Sequence, residues 1–241
     1  MSALDGKVVL VTGASRGLGY QAALEATRRG AHVIAVARTI GGLEDLDDDI
    51  KRLGGSTTLV PLDLRDYEAI DRLGASIFQR WGKLDGLVGN AAQLGVITPL
   101  AHLDPPDFEK TFGLNVTANY RLIRSLDPLL RHAEAGRAVF LSSGAAHGVR
   151  PFWGLYAATK AALEVMVRSY ADEIAISRAK ANVFDPERLR TQMRAKAYPG
   201  EDPDTLPHPS AAAPELIDMI VPGYDRNGEI YNFSSKQSVP L

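Results

Sequence analysis

Tyr156 and Lys160 stand four residues apart in the run Tyr156-Ala157-Ala158-Thr159-Lys160, a spacing that sets a phenol and an ammonium on one face of a helix. A phenol titrates at about 10 and is a poor base near neutrality, but a fixed cation beside it stabilises the phenolate and brings that value down. Such a pair can move a proton to or from one substrate oxygen. Ser143 closes the run Ala138-Val139-Phe140-Leu141-Ser142-Ser143, the pattern of a strand feeding a loop, where a hydroxyl can donate to a carbonyl oxygen. Elsewhere, a Tyr–Lys pair on a helix is usually a surface contact worth little. The setting must therefore decide.

A second chemical feature is the glycine-rich stretch from Thr12 to Gly19, which holds Gly13, Ser15, Arg16, Gly17, Leu18 and Gly19 between an apolar β-branched run and a helical pattern. Missing side chains let backbone amides approach a pyrophosphate, whose charge also meets the positive end of the following helix. A tight turn without a ligand is the plainer reading. The second strand of this unit ends Val36-Ala37-Arg38, with no carboxylate to hold ribose hydroxyls or repel a 2′-phosphate. Arg16 and Arg38 supply two cations that could clamp such a phosphate, or two solvated surface groups. The pair favours NADP(H) over NAD(H). Asp63 is placed to accept from an adenine amino group with the Leu64 backbone nearby, or to cap a helix.

These groups need elements to hold them. Short apolar runs at Lys7–Val11, His32–Ala37, Thr57–Pro61, Leu84–Val88, Ala138–Leu141, Ala181–Phe184 and Glu229–Tyr231 read as strands, and helical patterns lie between them, among them Leu18–Arg29 and Leu43–Leu53. Strands separated by helices pair in parallel, so the expectation is an α/β doubly wound sheet of about seven strands with helices on both faces. The 241 residues read as a single domain, 1–241. Tyr198–Pro214 carries six prolines and glycines in a short span and reads as a flap within that domain.

Composition limits the function classes. Lys and Arg number 27 against 29 Asp and Glu, a formal charge of -2, so no overall basic field favours nucleic acid. With no Cys, disulfides, thiolate metal sites and cysteine nucleophiles are excluded. The first residues hold only a four-residue apolar run, which gives no secretion or membrane signal; a cytoplasmic protein is expected. The acidic run Glu44-Asp45-Leu46-Asp47-Asp48-Asp49 near an expected helix start is read as complementing the helix dipole rather than binding metal.

In this order along nearly the whole chain, the residues resemble the short-chain dehydrogenase/reductase family. The resemblance matches its glycine motif to Thr12–Gly19, its structural Asn-Ala to Asn90 and Ala91, its catalytic Asn to Asn115, its Ser to Ser143 and its Tyr-Lys pair to Tyr156 and Lys160. It implies a Rossmann-type fold and reversible hydride transfer, with Tyr156 passing the proton, Ser143 polarising the carbonyl, Lys160 also bonding the nicotinamide ribose and Asn115 holding a water on the proton path. Ser142 lacks the family's spacing to Tyr156 and is read as structural. Pro186 and Thr191 would face the nicotinamide, and residues 187–214 would cover the substrate. The resemblance further implies a homodimer or homotetramer with the Tyr156 helix near a contact.

Several residues depart from the family's pattern. Gly89-Asn90-Ala91-Ala92 changes both flanks of the Asn-Ala pair, and Glu187 follows Pro186 where the family has Gly. That carboxylate motivates the alternative of an NADP-binding regulatory or scaffold protein with little catalysis. Arg188, Arg190, Arg194 and Lys196 would attract an anionic or ketoacyl substrate, or an acyl carrier protein, unless they form a solvated helix face. His147, Phe152 and Trp153 are candidates to shape the pocket or simply to pack.

Overall fold

The computed structural model describes residues 2–148 and 150–241. The first strand, β1 (Val8–Thr12), is buried at every position: Val9 and Val11 join one apolar cluster and Val8 and Leu10 the other, the signature of a central strand covered on both faces. Around it are β2 (His32–Ala37), β3 (Thr57–Pro61), β4 (Gly86–Gly89), β5 (Arg137–Leu141), β6 (Lys180–Asp185), β7 (Glu229–Asn232) and β8 (Gln237–Pro240). They form one sheet in the order β3-β2-β1-β4-β5-β6-β7-β8, parallel throughout except for the antiparallel β7–β8 edge.

The fold is a Rossmann-like doubly wound sheet. Helices α1 (Gly17–Arg28) and α2 (Ile40–Arg52) cover one face with α8 (Pro209–Asp218); α3 (Tyr67–Trp81), α5 (Ala118–His132) and α6 (Gly154–Glu173) cover the other. The shorter α4 (Pro105–Phe112) lies in the β4–β5 connection and α7 (Gln192–Ala197) in the β6–β7 connection. Chain order reverses between β1 and β4, and the carboxyl ends of strands at such a reversal are where this architecture leaves a crevice. Glycine loop, Asn90 and Ser143 all follow carboxyl ends of strands in this region.

Three expectations need correction. The eighth strand, β8, turns back on β7 in register from Glu229↔Pro240 to Asn232↔Gln237; the tail carries one apolar residue in that span, so no alternating pattern announced it. Helix α2 starts at Ile40 rather than Leu43, leaving no acidic residue in its first turn. The acidic run therefore sits mid-helix, where Asp47 pairs with Lys51 at 2.5 Å and Asp49 with Arg52 at 2.6 Å. Finally, the proline-rich 198–214 span is not all loop: Pro209 opens α8 at its first turn, where its missing N–H costs nothing. Ala212, Ala213, Leu216 and Ile217 are buried, and α8 packs along α1.

Candidate active site

Gly13 and Gly17 adopt φ values of 66° and 62°, the left-handed region open to glycine. A Cβ on Gly19 would fall 2.4 Å from both Gly13 O and Asn90 Nδ2, so close packing of α1 against the strand loop requires its absence. Asn90 buttresses the turn by donating to Thr12 O at 2.8 Å, while Thr12 Oγ1 accepts from the amides of Asn90 at 2.9 Å and Ala91 at 3.0 Å. Thr12 was missed as a site residue because a strand-end Thr is ordinary β-branched sequence.

The loop borders a cavity of about 890 Å³ that runs to the Tyr156 region. Gly13, Ser15, Arg16, Gly17 and Leu18 line it beside Arg38 and Leu64; Asn90, Ala91, Ser143, Tyr156, Lys160, Pro186 and Thr191 continue the wall. Gly19, Asp63 and Asn115 are the sequence candidates outside that lining. The cradle fits a dinucleotide: a Cβ on Gly17 would meet only Thr191 Cγ2 at 3.8 Å, leaving the backbone open to a phosphate.

Arg16 occupies the position just before α1 and donates to Gln192 Oε1 at 3.1 Å. Arg38 Nη1 reaches Asp63 Oδ2 at 4.0 Å. Asp63 is held instead by Arg65, at 3.1 Å through Nε and 2.6 Å through Nη2, and those bonds hold its carboxyl down at about 2. It does not cap α3; Asp66 does, accepting from Ala69 N. Asp63 is therefore an arginine partner, with Leu64 at the cavity wall.

Tyr156 and Lys160 share a face of α6, as their spacing requires, and both are buried. The electrostatics reverse the expectation. Burial pushes the Tyr156 phenol up to about 12, against a lowering hydrogen bond with Ser143, and the Asp185 carboxylate raises it further. Lys160 does not offset this: Nζ lies 5.7 Å from the ring centroid and donates to Leu141 O at 2.7 Å. Burial lowers the Lys160 ammonium to about 8 despite the nearby Glu164 and Asp185 carboxylates. Tyr156 Oη lies 4.0 Å from Met193 Sδ on α7, and Trp153 sits edge-on to the ring.

Asn115 is fully buried in a π-helical turn, Gly113–Thr117, leading into α5. Its Oδ1 accepts from Gln93 N at 2.9 Å, and its Nδ2 donates to Gln93 O at 2.9 Å and Thr159 Oγ1 at 3.0 Å. Both amide hydrogens are thus committed to protein. Ser142 bonds Glu164 Oε1, and His147 Nε2 lies 3.1 Å from Glu164 Oε2. Glu164 was missed, although it continues the spacing of Tyr156 and Lys160 by one more turn.

At the far wall, Glu187 has φ 54°, a glycine-favouring conformation. Its N–H donates to Asp185 Oδ1 at 2.9 Å, and its Oε1 accepts from Asn232 Nδ2 at 2.9 Å. The basic stretch is partly neutralised: Arg190 meets Asp204 at 2.7 Å, while Arg194 meets Glu201 at 2.5 Å and lies 3.8 Å over the Tyr198 ring. Trp153 lines the cavity, whereas Phe152 is exposed and His147 turns to Glu164.

The family model for short chain dehydrogenases matches residues 7–202. The uncharacterised oxidoreductase YciK of Escherichia coli is 36% identical over 214 residues, covering 88% of this chain and 84% of the relative. A short chain dehydrogenase from Pseudomonas syringae superposes with a TM-score of 0.93 at 36% identity, over 96% of both chains. Another from Shigella flexneri, solved in complex with NADP, has a TM-score of 0.92 at 34% identity over 96% of this chain and 98% of that one.

Proposed function

The chain belongs to the short-chain dehydrogenase family and is an oxidoreductase, and on that premise we propose that it reduces a carbonyl, or oxidises the matching alcohol, with NADP(H). The observation that carries this reading is the single cavity wall joining the glycine cradle to Ser143, Tyr156 and Lys160. When bound, the nicotinamide supplies the hydride in reduction and takes it back in oxidation.

The remaining steps belong to the protein. Tyr156, held as a phenol by burial, donates its proton to the carbonyl oxygen during reduction and is left as the phenolate, and in oxidation that phenolate takes the proton back from the alcohol. Ser143 donates to the same oxygen and polarises it. Lys160, buried beside the cavity, bonds the ribose and feeds protons toward Tyr156. Asn115 positions this machinery by tying Gln93 to Thr159 on the Tyr156 helix. Arg16 and Arg38 on the cavity wall, the second at the end of a strand that carries no carboxylate, favour the 2′-phosphate of NADP(H), in keeping with the NADP carried by the Shigella flexneri structure. Pro186 and Thr191 face the nicotinamide end, and residues 187–214 cover the substrate of a single domain.

The same reading includes a homo-oligomer. Tyr120 on α5 and Val165 on α6 are 49% and 70% exposed, and together with Ile123, Ala161, Ala162 and Met166 they line an apolar hollow between the two helices. An apolar face of this kind is suited to a second copy. Among the described residues no helix is long and apolar enough to cross a membrane.

The test is titration with NADPH and NADH, followed by NADPH oxidation across a panel of carbonyls, for wild type and Tyr156→Phe. NADPH is expected to bind more tightly than NADH, and the variant to retain binding while turnover falls about 10²–10⁴-fold. Tight binding with no turnover in the wild type favours the regulatory alternative that Glu187 motivates.

A further inference from the structure

Glu164 sits two turns beyond Tyr156 and one beyond Lys160 on α6, with its side chain only 8% exposed. A carboxylate so buried must find donors or a counter-charge. One loop supplies both contacts: Ser142 Oγ donates to Oε1, and His147 Nε2 lies within ion-pair distance of Oε2, at 3.1 Å. These two residues bracket Ser143 in sequence, and the short turn Gly144–Ala146 lies between them. One carboxylate thus joins the loop that carries Ser143 to the helix that carries Tyr156 and Lys160.

We propose that Glu164 is a positioning residue of this site, clamping the Ser143 loop against the Tyr156 helix and serving as the buried counter-charge of Lys160. The proposal rests on the reading of Ser143, Tyr156 and Lys160 as the reacting groups. Two contacts from one rigid helical position fix a loop better than one, because either contact alone leaves a hinge. The charge matters separately. Lys160 is buried, and among the charges near it Glu164 stands first in holding the ammonium, ahead of Asp185. The titratable groups that face Glu164 are Lys160 on α6, His147 on the loop and Asp185 on β6. Asp185 is the weaker counter-charge because burial raises its carboxyl, and Glu187 and Glu164 add to that rise.

The two roles separate by substitution. Glu164→Gln keeps an oxygen for Ser142 and a polar atom for His147 but removes the charge. Ser142→Ala removes one arm of the clamp and keeps the charge. The first readout needs no substrate: in protein labelled with 13C at lysine Cε, the Lys160 resonance is identified by its loss in Lys160→Met and followed against pH. Glu164→Gln is expected to move the Lys160 midpoint down by about one pH unit, and Ser142→Ala to leave it in place. An unmoved midpoint in Glu164→Gln overturns the counter-charge role.

The second readout uses NADPH and a carbonyl reduced by the wild type. Ser142→Ala is expected to lower kcat about tenfold while KM for NADPH stays within about twofold, since the reacting geometry loosens and the nucleotide cradle does not. Wild-type kcat in Ser142→Ala overturns the clamp. Glu164→Asp, which restores the charge on a shorter arm, is expected to recover the Lys160 midpoint but not kcat; recovery of neither overturns the proposal. If no carbonyl is reduced at all, the functional reading fails while the Lys160 titration still decides the counter-charge.

Discussion

A lysine amine enclosed by protein loses the water that would stabilise its charge, and in Lys160 this outweighs the carboxylates of Glu164 and Asp185. The consequence for stability has a definite sign. The folded amine titrates at about 8 against 10.5 for the free group, so between those values the unfolded chain binds more protons and stability rises with pH. Below that window the folded protein must carry a buried ammonium, and the penalty is fully present. Urea unfolding across the window is expected to show wild type gaining stability relative to Lys160→Met as pH rises from about 8 to 10.5; parallel curves for the two proteins would contradict it. The chemical identity of the pair was legible from spacing alone, since i and i+4 share a helix face whatever the tertiary structure. The direction of the Tyr156 shift was not, because it depends on burial and on the ammonium turning to Leu141 O, neither of which a spacing encodes. The Arg65 partner of Asp63 was not legible either, since two residues' separation does not say which way the arginine turns.

At the scale of elements, the β1–α1 turn follows the sequence closely because three of its glycines are required by geometry: Gly13 and Gly17 by positive φ and Gly19 by contact. The β6 end is where local sequence and backbone disagree. Glu187 holds a left-handed conformation that costs a residue with a Cβ about 1 kcal/mol relative to glycine. Its bond to Asn232 returns part of that cost. Glu187→Gly is therefore expected to melt no lower than wild type, and Glu187→Val, whose branched side chain tolerates this region poorly, to lose about 1 kcal/mol or more. Thermal melting of the two variants checks this; a Glu187→Gly that melts clearly below wild type would show that the carboxylate contact to Asn232 outweighs the backbone cost. The prolines between 198 and 214 misled for a related reason. Proline marks both loops and helix starts, and only the burial of Ala212, Ala213, Leu216 and Ile217 against the α1 side of the core distinguishes α8 from a flap. The β8 edge has no buried apolar alternation to reveal it, since its four positions are exposed or half-buried.

For the whole molecule, the doubly wound order brings together side chains more than a hundred residues apart, from Gly13 to Lys160, and the alternation of strands and helices was enough to foresee that convergence. What sits on the outside was less legible. The apolar hollow between α5 and α6 arises from two helices whose exposed residues look unremarkable one at a time. If it joins two copies, Val165→Arg is expected to shift the protein toward monomer in sedimentation velocity without altering NADPH affinity; an unchanged sedimentation coefficient for a wild type that is itself oligomeric would move the interface elsewhere. The central claim is net hydride transfer assisted by Tyr156, and isotope labelling tests it most directly. NADPH carrying deuterium on both hydrogens of the reactive nicotinamide carbon is incubated with a carbonyl identified by the panel. The product alcohol is expected to gain one deuterium at the former carbonyl carbon in wild type, and about 10²–10⁴-fold more slowly in Tyr156→Phe. Product formed without the label, or label transfer at the wild-type rate in Tyr156→Phe, would contradict the account.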